Sequence, residues 1–140
     1  MKTTIKKITS LALVFVLILS FVACATVDQT GVWESATYLK DTEFGTGAKT
    51  VTVEVAVEDQ LVTFTIHTDK DTVGAALLEH ELITGEEGPY GMYIKSVNGM
   101  TADYDVDQSY WAFYIDGEYA MTGVDTTEIT EGATYAFKPE

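Results

Sequence analysis

Residues 51–67 alternate in side-chain character with a period of two. Val51, Val53, Val55 and Val57 are interleaved with Thr52, Glu54 and Ala56; after Glu58-Asp59-Gln60, Val62, Phe64 and Ile66 are interleaved with Thr63, Thr65 and His67. Successive side chains of a strand point to opposite faces, so this pattern predicts a β-hairpin with one apolar face and one wet face. The β-branched content of both arms suits strands. Two strands alone do not bury such a face, so the chain must supply a larger sheet or a second layer.

Residues 110–115 carry a different signal. Trp111, Phe113 and Ile115 point one way and Tyr110, Ala112 and Tyr114 the other, and both sets are apolar or aromatic. One face can meet the core, while the other requires a second layer, a partner or a ligand. Asp116-Gly117 is a strong two-residue hairpin signal leading into Glu118–Thr122.

The remaining elements follow the same logic. Val73, Ala76, Leu77 and His80 fall at helical spacing, which predicts a helix over 72–82 with Asp69, Asp71 or Thr72 as its cap. Residues 84–89 read as a Gly-rich loop. Tyr90–Asn98 reads as a strand closed by Asn98-Gly99, and Thr134–Lys138 as a last strand after Glu131-Gly132. Residues 33–48 are irregular, but Trp33, Tyr38 and Phe44 suggest that they pack. A hairpin, one helix and then further strands predict an α+β domain: a small, mainly antiparallel sheet with one main helix.

The chain has 140 residues, of which 33–140 are read as this one domain. Residues 1–10 contain Lys2, Lys6 and Lys7 and no acid, and residues 11–22 are apolar. This is the layout of a secretory signal, with an apolar run shorter than the roughly 20 residues a membrane span needs. It ends at Phe21-Val22-Ala23-Cys24, with Cys24 the sole cysteine. The segment resembles a bacterial lipobox, which implies a signal peptide at 1–23, lipidation of Cys24 and a tether at 24–32. Ordinary cleavage at the Ala23-Cys24-Ala25 site is the alternative. The first reading predicts a lipid-anchored protein on the extracytoplasmic side of the cell membrane, in a style that suggests a Gram-positive surface.

All 22 acids lie beyond Cys24, against five lysines and no arginine. That balance excludes a nucleic-acid partner, which needs a positive footprint. No H-E-x-x-H, G-x-S-x-G or phosphate-loop motif occurs, and His67 and His80 share no ligand spacing, so neither a metal site nor an enzyme is expected. The aromatics are the better lead. Ten of them, from Tyr90 to Phe137, crowd the last fifty residues, more than a small core needs, and Tyr and Trp make good contact residues.

The ordered set Gly91-Met-Tyr-Ile-Lys-Ser-Val-Asn-Gly99, Tyr110-Trp111, Gly123-Val124 and Glu131-Gly132, with the helix Thr72-Val-Gly-Ala-Ala-Leu-Leu-Glu79, resembles the transcobalamin-like C-terminal domain family, also called DUF4430. The resemblance covers about residues 33–140 and implies a β-rich domain that closes over cobalamin. It implies ligand contacts from Tyr93, Ile94, Ala112, Phe113 and Tyr114, with Trp111 beside them. Ala112 stands where the vertebrate carriers have a polar residue. The α/α barrel that completes their site does not fit in this domain, so the resemblance implies a half-site. The expected functions are binding of cobalamin or another corrinoid at the surface or, alternatively, docking on a surface partner protein.

Overall fold

The structure, a computed structural model, describes residues 32–140. The signal peptide, Cys24 and most of the tether lie outside the described residues. A short 3-10 turn, Val32–Ser35, leads into β1 (Thr42–Gly45), β2 (Lys49–Val57) and β3 (Gln60–Thr68). Helix α1 (Val73–Glu79) follows, then β4 (Ile83–Gly88), β5 (Gly91–Val97) and β6 (Met100–Thr101). A single turn of helix α2 (Tyr104–Asp107) precedes β7 (Trp111–Ile115), β8 (Glu118–Tyr119) and β9 (Thr134–Pro139). The strands form a six-stranded sheet of order β1-β3-β2-β9-β7-β8 and a three-stranded sheet of order β4-β5-β6.

The expected β2–β3 hairpin forms, with Val53 opposite Phe64 and Val51 opposite Ile66; its turn is shorter than the expected Glu58-Asp59-Gln60, since Gln60 already pairs with Val57. Val51, Val53, Val55, Phe64 and Ile66 are all essentially inaccessible to solvent. Each such side chain contributes about 1.5–3 kcal/mol of burial. The inner face continues through Tyr135 and Phe137 of β9 to Trp111 and Phe113 of β7, with Phe113 directly opposite Phe137 and their rings stacked at 5.1 Å. β1 pairs with β3 and β9 with β2 in parallel, so the large sheet is mixed. The other five pairings are antiparallel.

Local contacts fix the helix and the ends of the hairpin. Thr72 caps α1, its Oγ1 accepting from the N–H of Ala75 at 3.3 Å. Val73, Gly74, Ala76 and Leu77 are buried behind it. Gly74 lets the segment 123–127 lie directly on the helix start: Gly74 N–H donates to Val124 O at 2.8 Å and Val73 N–H to Thr127 O at 2.9 Å. A Cβ at Gly74 would sit 2.9 Å from the backbone nitrogen of Asp125. Trp33, also buried, closes the far end of the hairpin by donating its indole N–H to Val57 O at 3.0 Å.

The segment expected to be a Gly-rich loop, residues 84–89, is mostly strand. β4 pairs with β5 from Ile83↔Val97 to Gly88↔Gly91, with an irregularity at Thr84/Gly85. Its side chains are almost all exposed after Ile83, so pairing is carried by the backbone and leaves no hydrophobic alternation to read. β8 is shorter than the expected Glu118–Thr122, and α1 stops at Glu79 because His80 leaves helical geometry. Among the described residues no helix is long and apolar enough to cross a membrane.

Candidate functional site

β5 of the small sheet lies beside β7 of the large one, and the seam between them opens as a cleft of about 300 Å³. Met92, Tyr93 and Ile94 of β5 form one wall. Tyr110, Trp111 and Phe113 form the other, with Tyr119 of β8 and the segment 120–124 at the side. Five aromatic residues therefore line one opening: Tyr93, Tyr110, Trp111, Phe113 and Tyr119, of which Trp111 and Phe113 are nearly buried. A few hundred Å³ is the lower end of the range for small-molecule sites.

Each wall is fixed by interactions that do not use the cleft. The Trp111 indole N–H donates to Met100 O at 3.1 Å, which pins the nearly buried ring. Phe113 lies between Tyr135 and Phe137 at 6.0 and 5.1 Å. The 120–124 segment is tied to α1 through Val124, as described above, and to β5 through Asp125, whose Oδ1 accepts from Met92 N–H at 3.1 Å. Ala120 N–H donates to Phe113 O at 2.9 Å. These anchors make the cleft a pre-formed feature, which lowers the ordering cost of binding.

Of the six residues named from the sequence, Tyr93, Ile94, Trp111 and Phe113 line this cleft and Ala112 and Tyr114 do not. β7 pairs with β9 without interruption from Trp111↔Pro139 to Ile115↔Tyr135, so strict alternation holds and no bend brings consecutive side chains to one side. Ala112 and Tyr114 lie on the outer face of the large sheet. There Lys138 Nζ sits 4.3 Å from the centre of the Tyr114 ring, and Tyr119 meets that ring edge-on at 5.6 Å. The Tyr114 hydroxyl donates to the Glu140 carboxylate, which pushes its pKa up to about 12. The Tyr110 hydroxyl is likewise raised, by its hydrogen bond with Tyr119 first and the nearby Glu140 carboxylate last.

Sequence reasoning counted Tyr110 and Tyr119 among the crowded aromatics but did not place them, Met92 or the 120–124 wall in the ligand set. Tyr119 faces Tyr114 across the β7–β8 pair, so its register puts it on the outer face, yet it also lines the cleft where β8 is only two residues long. The crowding of aromatics between Tyr90 and Tyr119 was the available signal. Close in sequence to the lining residues, Tyr90 and Met121 are 95% and 93% exposed.

The histidines do not join. His67 Nε2 meets Glu43 Oε1 at 2.6 Å, while His80 stacks on Phe44 at 5.2 Å. Among the described residues no group of three or more His, Cys, Asp or Glu side chains is placed to hold a metal ion.

A family profile described as a domain of unknown function (DUF4430) matches residues 70–138. Among solved structures, a protein of Ruminococcus gnavus ATCC 29149, provisionally called a metal binding protein, is similar at a TM-score of 0.62. It is 32% identical over 66% of this chain and 96% of its own. Haptocorrin in complex with Cbi is also similar, at a TM-score of 0.49 and 18% identity, over 68% of this chain and 26% of haptocorrin. No curated protein matches.

Proposed function

The chain belongs to the DUF4430 family, the family its motifs resemble, and from that premise we propose that it is a non-enzymatic binding protein whose ligand enters the aromatic cleft. The observation that carries the reading is the convergence of Tyr93, Tyr110, Trp111, Phe113 and Tyr119 on one pre-formed opening. Flat, partly apolar ligands stack on such rings, and the hydroxyls of Tyr110 and Tyr119 supply polar contacts at the edge. In this reading the domain is displayed outside the cell on a lipid attached to Cys24.

A corrinoid is the specific ligand we put forward, on the likeness of the Tyr93-Ile94 and Trp111 strands to the transcobalamin-like pattern. A cleft of about 300 Å³ takes one edge of so large a ring. The remainder would rest on Tyr90 and Met121, or against a second protein. The test is gel filtration of the protein with cobalamin, which is coloured. Visible absorbance should co-elute with the protein, fall on Tyr93→Ala and Tyr119→Ala, and persist on Tyr114→Ala, because Tyr114 faces away. Colourless protein at high micromolar cobalamin ends the corrinoid reading.

A second reading, docking on a surface partner, is favoured by the exposure of Tyr90 and Met121. Large apolar side chains that stand free beside a pocket are the usual material of interfaces. Tyr90→Ser with Met121→Ser should abolish capture of that partner and leave any small-ligand binding in place; capture unchanged by the double substitution rules it out.

A further inference from the structure

Resting on the reading of the cleft as a ligand site, we infer that the group it selects is an organic cation, a free small molecule bearing an alkylated ammonium. Three observations support this. First, five aromatic residues line the cleft, Tyr93 and Tyr119 among them well exposed, and no lysine lines it. The faces of such rings are negative, and rings of aromatics around one opening are how quaternary ammonium groups are held.

Second, a carboxylate stands beside the β5 wall. Asp125 Oδ1 accepts from Met92 N–H at 3.1 Å. The wider field agrees, since the chain carries 22 acids against 8 basic residues. A strongly negative protein concentrates cations at its surface and repels anions.

Third, the fold already uses these tyrosines in this way. Lys95 Nζ sits 4.9 Å from the centre of the Tyr93 ring, as Lys138 does over Tyr114 on the other face of the large sheet. Lys95 is thus a tethered cation on a ring that also lines the cleft. An incoming ammonium competes with it for Tyr93, which makes Lys95 a brake on affinity that can be removed without touching the walls.

The test compares choline with 3,3-dimethylbutan-1-ol, which has the same shape with carbon in place of the charged nitrogen. Binding of each to the full chain is followed by calorimetry at low ionic strength. Choline should bind at least about tenfold more tightly than the neutral alcohol. Lys95→Gln should strengthen choline binding and leave the alcohol unchanged, and Tyr93→Leu and Tyr119→Leu should weaken choline most. Both leucine positions are substantially exposed, so the fold tolerates them. Equal affinities, no choline binding at tens of millimolar, or indifference to Lys95→Gln would each overturn the inference. If cobalamin co-elutes while choline fails, only the charge preference is lost; if neither binds, the ligand-site reading goes with it.

Discussion

Asn98 is a single buried side chain on which two parts of the fold depend. It is 1% exposed and stands at φ 52° in the turn between β5 and β6. Its Oδ1 accepts from Tyr38 N–H at 2.9 Å and its Nδ2 donates to Tyr38 O at 2.8 Å. Its own backbone adds a bond on each side, from Thr37 N–H to its carbonyl at 2.9 Å and from its N–H to Leu82 O at 2.8 Å. Asn98→Ala removes the two side-chain bonds, each worth about 0.5–1.5 kcal/mol net. It also removes the short polar side chain that makes asparagine tolerant of the left-handed region, where other residues with a β-carbon lose roughly 1–2 kcal/mol. The expected loss is about 2–5 kcal/mol. Asn98→Gly loses the same bonds without the left-handed penalty, so it should fall about 1 kcal/mol or more short of the alanine change. Urea unfolding followed by tryptophan fluorescence gives both values, provided the slope m is unchanged. An alanine variant within about 0.5 kcal/mol of wild type would show that the Tyr38 clamp contributes nothing. A glycine variant as unstable as alanine would show that the φ value carries no cost.

Gly74→Ala should destabilise by roughly 1–3 kcal/mol in the same assay, although alanine is the better helix former, because its Cβ would press on the backbone at Asp125. It should also loosen the 120–124 wall, seen as faster exchange of the residue 74 amide that donates to Val124 O. Thr72→Ala removes the cap of α1 and should cost about 1 kcal/mol, with Thr72→Ser recovering most of it. Spectrophotometric titration should show one tyrosine ionising near pH 12, two units above the ordinary value, and Glu140→Gln should move it back towards 10. Because the folded-state value is raised, the stability linked to Tyr114 is present below pH 10 and lost as pH rises from 10 to 12. A titration with every tyrosine near 10 in wild type would remove the Tyr114–Glu140 bond from the account.

The parts of the fold legible in the sequence are those where side chains set the structure. The β2–β3 hairpin shows because every second residue is buried, and α1 because Val73, Ala76 and Leu77 share a face. The Asp116-Gly117 turn shows because both residues must take positive φ, at 50° and 84°, which that pair does at little cost. β1 and β4 do not show. β1 joins β3 in parallel at an edge, and β4 lies outside β5 with most of its side chains in water. Their pairing is a matter of backbone hydrogen bonds, which any sequence supplies, so only the completed sheet decides that they are strands.

The candidate site divides along the same line. Adjacent letters in the motif Trp111-Ala112-Phe113-Tyr114 invite a single contact surface, but an unbroken ladder to β9 forbids one. Its inward set, Trp111 and Phe113, does two jobs: each ring is nearly buried in the core, and its remaining surface borders the cleft. The outward set needs no second layer. Tyr114 is covered by the Lys138 chain and tethered by Glu140, and Ala112, opposite Lys138 in the ladder, is shut off from solvent. A strand apolar on both faces therefore need not lie between two layers. The long side chains of its neighbour strand can close one face, at the cost of a few polar groups that remain wet. What distinguishes the inner face is that the edge of a second sheet stops short of it, and the space left between Ile94 and Trp111 is the cleft itself.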